Sequence, residues 1–407
     1  MNAPKIRFKK FNKDWEKINL GDTFKYFSTN SLSREQLSNN GIIKNIHYGD
    51  IHKKFNTIVD VENDVDTYIK DLEYNNRYEL CKDNDLVFAD ASEDYDGIGK
   101  VIEITNVKSK TVSGLHTILA RDTIKRFVPK YKGYYFNSPV IHNQLRVLAN
   151  GFKVYGISKD SINKLEVNIP SKEEQEKIAD VLSLLDRRIE LQTKKIENLI
   201  FLRKGIDEKI FSNNDLFDID IIKNRFDSDG GTALEEYISS NGTHKIISIG
   251  NYSPDGLYLD NGQRVILNEK TRTKLLNKGD LVMILNDKTS TGDIIGSSIL
   301  IDEDNKYIYN QRSQRLICKD IDSNYAWCFL NSNVFRKNVY KLSQGGTQIY
   351  VNYPVISQQK ILVPKNKSIN NSIVNLIFGI KQKIDIENEK LELLINLKKG
   401  LMQNMFV

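Results

Sequence analysis

The chain has 407 residues, 40% hydrophobic and 28% charged, ordinary globular values that leave room for roughly two or three domains with cores of their own. The formal net charge of +6 leans towards a polyanionic partner, although the richness in Lys, Asn and Ile is equally explained by an AT-rich coding sequence. Three cysteines, Cys81, Cys318 and Cys328, without CxxC spacing argue against a disulfide framework or a zinc site.

The opening "MNAPKIRFKKFNKDW" has no apolar signal region, and no run approaches the roughly 18 apolar residues of a membrane span, so a soluble, cytoplasmic protein is expected. Residues 1 to 170 read as a mixed α/β domain of short strands, such as "DLVFA" and "GKVIEI", between loops rich in Asn, Asp, Ser and Gly. After Pro170 a helix over 171 to 211 is predicted, with Ser171 as its cap, Glu174 closing a capping box and acidic residues in the first turn. Its apolar positions Ile178, Leu182, Leu185, Ile189, Ile196, Leu199, Ile206 and Ile210 follow the four-and-three spacing of a coiled-coil seam. A second domain over 212 to 365 precedes a second helix over 366 to 407. There the seam runs Ile373, Ile377, Ile380, Ile384, Leu391, Leu394, Leu401 and Met405, and Ser368 is the candidate cap. Gln192 and Glu387 interrupt the two seams at matching positions. Either they fix register, or they point to water at the stripe edge.

The two halves repeat each other. "IADVLSLLDRRIELQTKKIENLIFLRKGIDEKIF" at 178 to 211 returns as "IVNLIFGIKQKIDIENEKLELLINLKKGLMQNMF" at 373 to 406, with Ile189, Leu199, Gly205 and Phe211 meeting Ile384, Leu394, Gly400 and Phe406 at an offset of 195. Upstream, Asn137, Ser138, Gly151 and Pro170 meet Asn331, Ser332, Gly345 and Pro364 at an offset of 194, and "DLVFAD" at 85 to 90 faces "DLVMIL" at 280 to 285. Similar frames carry different contents, and a period this long means two domains rather than a solenoid. The first helix leaves domain one and the second has only domain one to return to, so the helices should pair antiparallel. The expected fold is α+β: two mixed α/β domains separated by two long antiparallel coiled-coil helices, in a pseudo-twofold internal repeat.

Motifs for catalysis are missing. "DGIGKV" lacks the first glycine and the hydroxyl of a phosphate loop, no HExxH occurs, and His47, His52, His116, His142 and His244 have no ligand-like spacing. Pro254-Asp255-Gly256 reads as a turn rather than a nuclease motif, and no Asn- or Asp-Pro-Pro-aromatic motif is present. A binding protein is favoured over an enzyme.

The helix start "PSKEEQEKIADVLSLLDRRIELQ", the helix ends "LRKGIDEKIF" and "LKKGLMQNMF", and the opening "KIRFKKFNKDWEKINLGDTF" resemble the DNA sequence-specificity subunit of type I restriction-modification systems. The resemblance spans the whole chain. It implies two target-recognition domains, each reading half of a split, asymmetric sequence in double-stranded DNA, and two helices that set the spacing and dock two modification subunits. It also implies that S-adenosylmethionine belongs to the modification subunits, ATP and Mg to restriction subunits that translocate and cleave, and no catalysis or cofactor to this chain. The second helix departs from the pattern by placing Ile369-Asn370 where the first has Glu174-Gln175. The family's Gly-Thr-Thr-Gln loop survives in part as "GGTQIY" at 345 to 350, while the first half has "GFKVYG" at 151 to 156. Arg187, Arg188, Lys194 and Lys195 flank the seam as candidates for receiving partner subunits, or as an ordinary wet face.

Phosphates are neutralised by Lys and Arg, and base edges are read by Arg, Gln and Asn. Polar loop clusters therefore supply the candidate DNA contacts: Ser92, Tyr95, Lys100, His116, Lys153, Tyr155 and Lys159 in the first domain, and Asn286, Lys288, Thr289, Ser290, Gln311, Arg312, Gln314, Thr347, Gln348 and Tyr350 in the second. Each is equally a solvated turn residue taken alone. Arg121 and Arg315, beside strand-like runs, have a structural reading, and His116 the alternative of a satisfied core histidine. The competing function is a coiled-coil scaffold whose end domains bind protein or RNA; an enzyme with an unrecognised motif is the third.

Overall fold

The computed structural model describes residues 3–70, 78–95, 97–149 and 155–407. They fall into two units, Met1–Thr193 with Lys390–Val407 and Lys194–Glu389, so each long helix contributes to both.

In the first unit the run Leu86–Ala89 is apolar and buried at every position, as a strand covered on both faces must be. Its sheet has the order Phe24–Phe27, Thr117–Asp122, Leu86–Ala89, Val101–Thr105, Ile58–Asp60, antiparallel except where Ile58–Asp60 runs parallel to Val101–Thr105. A four-stranded sheet and the helices Tyr131–Phe136 and Pro139–Leu148 complete the unit. The second unit repeats the order as Phe226–Gly230, Ser313–Cys318, Leu281–Ile284, Ser298–Leu300, with Leu281–Ile284 again wholly buried.

The repeated letters sit at repeated joints. Before each central strand an aspartate closes the turn: Asp85 accepts from the Lys82 amide at 2.8 Å, and Asp280 from the Asn277 amide at 2.7 Å. Each also pairs with an arginine of the neighbouring strand, Arg121 with Asp85 at 2.7 Å and Arg315 with Asp280 at 2.6 Å, which makes both arginines internal braces. Asn137 donates to the carbonyls of Val101 and Gly133 and accepts from the Val101 amide. Asn331 does the same with Ser298 and Trp327. Gly256, at φ +76°, turns the 254 to 256 segment against Asn331, whose side chain lies 2.5 Å from where a Cβ would stand.

The long helices span Lys172–Phe211 and Lys367–Asn404. Ile178, Leu182, Met405 and Phe406 share the core of the first unit, while Phe211, Ile373 and Ile377 share that of the second. Lys398 is paired with Asp186 in the first unit and Lys195 with Glu387 in the second, so position rises along one helix as it falls along the other. The pairing is antiparallel. Of the seam, Ile178, Leu182, Leu185, Ile196 and Ile377 are buried, and Ile189, Leu199, Ile380, Ile384, Leu391 and Leu394 half-buried.

Two expectations at the helix starts are corrected. Ser171 Oγ does accept from the Glu174 amide, at 3.4 Å, but the Glu174 carboxylate pairs with Arg7 at 2.7 Å instead of closing a capping box, because the opposite charge is the stronger partner. The second helix is capped by Asn366, whose Oδ1 accepts from the Ile369 amide at 2.9 Å, and not by Ser368, which lies inside the helix. Gln175 and Glu387 are polar side chains that the fold buries: Gln175 Oε1 accepts from the Val128 amide at 3.0 Å, and Glu387, only 4% exposed, meets Lys195 at 2.9 Å. Glu387 is thus within the seam and not at its wet edge.

Candidate nucleic-acid interface

Three chain segments meet at the end of the central strand in each unit, joined by the same backbone hydrogen bonds. In the first unit the Asp90 amide donates to the His116 carbonyl at 3.0 Å, and the Ile157 amide to the Asp90 carbonyl at 2.8 Å. In the second the Leu285 amide donates to the Arg312 carbonyl and the Val351 amide to the Leu285 carbonyl, both at 2.9 Å. Short antiparallel ladders continue from these joints, Ala91–Ser92 with Tyr155–Gly156 and Asn286–Asp287 with Ile349–Tyr350. Residues 155–156 and 349–350 therefore hold equivalent places despite their different loop sequences.

The relay brings segments of the sequence clusters side by side at the end of the central strand in each unit. In the second unit the strand pair Gln344–Gly345 with Ile349–Tyr350 forms a hairpin tip that exposes Thr347, Gln348 and Tyr350 beside Asn286. The adjoining loop exposes Lys288, Thr289 and Ser290. Its shape is held by the buried Asp287 carboxylate, which accepts from the Thr289 amide at 2.9 Å, the Thr289 hydroxyl at 2.8 Å and the Ile294 amide at 2.8 Å. From below, Arg336 donates to the carbonyls of Ile295, Pro254 and Asp293, and its burial pulls the guanidinium down to about 10. Gln311 is exposed and bonded to Glu235 at 2.8 Å, and Arg312 beside it is half-exposed.

In the first unit Tyr95 is 48% exposed and packs edge-on against Tyr155 at 5.5 Å, with the Arg146 guanidinium over its ring at 5.2 Å. Arg146 lies on a helix surface, where the sequence offered no signal to select it. His116 is exposed, so the core alternative falls; its Nδ1 lies 3.3 Å from Asp90 and its ring stands edge-on to Tyr48 at 5.2 Å. Lys159 is exposed at the start of the helix Lys159–Asn163. Lys153 and Gly151 lie outside the described residues.

Other candidates are engaged internally. Ser92 is buried, and its hydroxyl donates to the Asp94 carbonyl at 2.8 Å to close a turn. Lys100 is half-buried and donates to the His52 carbonyl at 3.0 Å; burial lowers its pKa. Gln314 is 8% exposed because it stands one residue inside the strand Ser313–Cys318, paired on both sides. On the helices Arg187, Arg188 and Lys194 are exposed, whereas Lys195 is the partner of Glu387.

Among the described residues no cluster of His, Cys, Asp and Glu is arranged to hold a metal ion, and no helix is long and apolar enough to cross a membrane. Strand order and joints define a duplicated protein, with two similar α/β units that each include part of both long helices. The chain belongs to the type I restriction-modification specificity family: the model described as type I restriction modification DNA specificity domain matches residues 12–200 and again 206–396. The type I restriction enzyme MjaVIII specificity subunit of Methanocaldococcus jannaschii is 27% identical over 282 residues, which is 63% of this chain and 65%, slightly under two thirds, of that relative. The fold is shared with the crystal structure of a type I restriction-modification S subunit from M. genitalium, at a TM-score of 0.58 and 16% identity over 100% of this chain and 99% of that one. It is also shared with a chain from a structure describing assembly and conformational transition of the type I R-M system, at a TM-score of 0.63 and 12% identity over 97% and 98% of the two chains.

Proposed function

We propose that the chain is the sequence-reading subunit of a type I restriction-modification complex, each unit reading one half of a split, asymmetric DNA sequence. The observation that carries this is the pair of loop faces, with one backbone relay and different side chains upon it. A repeated frame positions two readers alike, and unlike side chains give them unlike targets. The scaffold is the constant and the loops are the text.

The paired helices set the separation of the two half-sites and receive two modification subunits, which supply S-adenosylmethionine and methylate adenine; restriction subunits bring ATP and magnesium. Apolar side chains left outside the seam support this docking role, among them Phe201, 78% exposed, and Leu393, 69% exposed. Lone surface leucines are ordinary, but a long apolar series along helices marks a protein contact. Arg187 and Arg188 are exposed on the first of these helices.

The test is to map methylated adenines in DNA exposed to the chain assembled with its modification subunits. Methylation confined to two dissimilar short motifs at constant spacing is expected, with affinity falling steeply as salt rises because phosphate contacts release counterions. Methylation at single motifs or without sequence preference sinks the reading, as does methylation or cleavage by the isolated chain.

A further inference from the structure

The backbone relay equates two residues: His116 and Arg312 each offer their carbonyl to the first amide past the central strand. Both precede the long return strand, Thr117–Asp122 in one unit and Ser313–Cys318 in the other. Each backbone position is tied to its surroundings. His116 holds φ +54°, a left-handed conformation that a non-glycine residue keeps only where its surroundings impose it, and the Arg312 amide donates to the buried Asn310 side chain at 3.2 Å. Both side chains stand at the solvent face, and the two are chemically different. His116 Nδ1 is taken by Asp90, leaving Nε2 as the edge that makes no hydrogen bond with the described residues; the Arg312 guanidinium likewise makes none.

Resting on the proposed DNA reading, we propose that His116 and Arg312 are the paired specificity-determining side chains, each contacting one base pair in the half-site that its own unit reads. The Arg312 fork matches O6 and N7 of a guanine in the major groove; His116 presents a single nitrogen and reads more loosely. A fixed frame with an exchangeable letter is the arrangement that makes one half-site change without the other.

The experiment uses the assembled methyltransferase with Arg312→Ala, Arg312→Lys and His116→Ala, a library randomised in both half-sites, and sequence-resolved detection of methylated adenine. Arg312→Ala and Arg312→Lys are each expected to lose on the order of tenfold preference at one position of one half-site, the other half-site staying as in the parent. His116→Ala is expected to relax one position of the opposite half-site. Because Arg312→Lys keeps the charge, a phosphate contact would leave its preference intact; that result, or a uniform loss of methylation across all sequences, overturns the assignment while the DNA reading stands. A parent complex that shows no split motif overturns the reading beneath it.

Discussion

Asn137 and Asn331 show how a single side chain carries the repeat. Each bridges a strand and the aromatic helix beside it with three hydrogen bonds, so that alanine would leave strand and helix-end backbone groups without partners. Asn331→Ala is expected to destabilise the chain by about 2 kcal/mol, while alanine at the exposed Lys159 stays within about 0.5 kcal/mol; thermal denaturation of the two variants checks this. Equal melting temperatures would show that the bridge contributes nothing. The residue scale is also where the sequence was least legible. Gln311, Arg312 and Gln314 read as one polar cluster, yet the strand begins at Ser313, so Gln314 is buried whereas Gln311 and Arg312 are not. That boundary is set by pairing with Phe226–Gly230 and Leu281–Ile284, far away in the chain. Glu103 makes the same point from inside an apolar-looking strand: it is fully buried against Lys132 at 3.0 Å, and burial pushes its carboxyl up. Only the fold supplies that partner.

Among the elements, the two long helices were the most legible, because a seven-residue apolar repeat sustained over this length has few other meanings. Their ends interlock with the heads through equivalent aromatics. Phe406 lies edge-on to Tyr131 and Tyr135 at 5.9 and 5.5 Å, and Phe211 edge-on to Tyr325 and Phe329 at 6.4 and 5.4 Å. Phe406→Ala is expected to cost about 3–5 kcal/mol and to lower hydrogen-exchange protection in the first unit; Phe211→Ala should do the same in the second. Protection lost evenly across both units by either variant would mean that the heads do not hold their helix ends independently. The helix starts were less legible than the seams. Glu174 had two competing partners, the cap amide three residues before it and an arginine 167 positions away, and spacing alone favours the nearer one.

At the scale of the whole molecule the proposed function makes the helix pair a ruler, and this can be changed without touching either loop face. Inserting one heptad into each helix keeps the seam in register and adds about 10 Å, since each helical residue rises about 1.5 Å. On a duplex with about 3.4 Å per base pair this should lengthen the unread spacer by about three base pairs. Methylation mapping of the inserted variant should show both half-sites unchanged at the new spacing. A changed half-site, or an unchanged spacer with full activity, would count against the ruler.

What the sequence determined by itself was the frame: two α/β heads, an antiparallel helix pair and repeated anchors at Asp85 and Asp280, Asn137 and Asn331, Phe211 and Phe406. Periodicity and duplication are local in the chain and survive without coordinates. What only the tertiary structure decided was which polar residues share a face. Asn286, Arg312 and Tyr350 are scattered over 65 positions and become neighbours through hydrogen bonds at Leu285 and Val351. Ser92, Lys100 and Gln314 are polar or charged as well, yet each is engaged internally, Ser92 by a turn, Lys100 by the His52 carbonyl and Gln314 by strand pairing on both sides. Residue type does not distinguish the two groups, because a donor left at the surface and a donor that closes a turn differ only in what stands next to them.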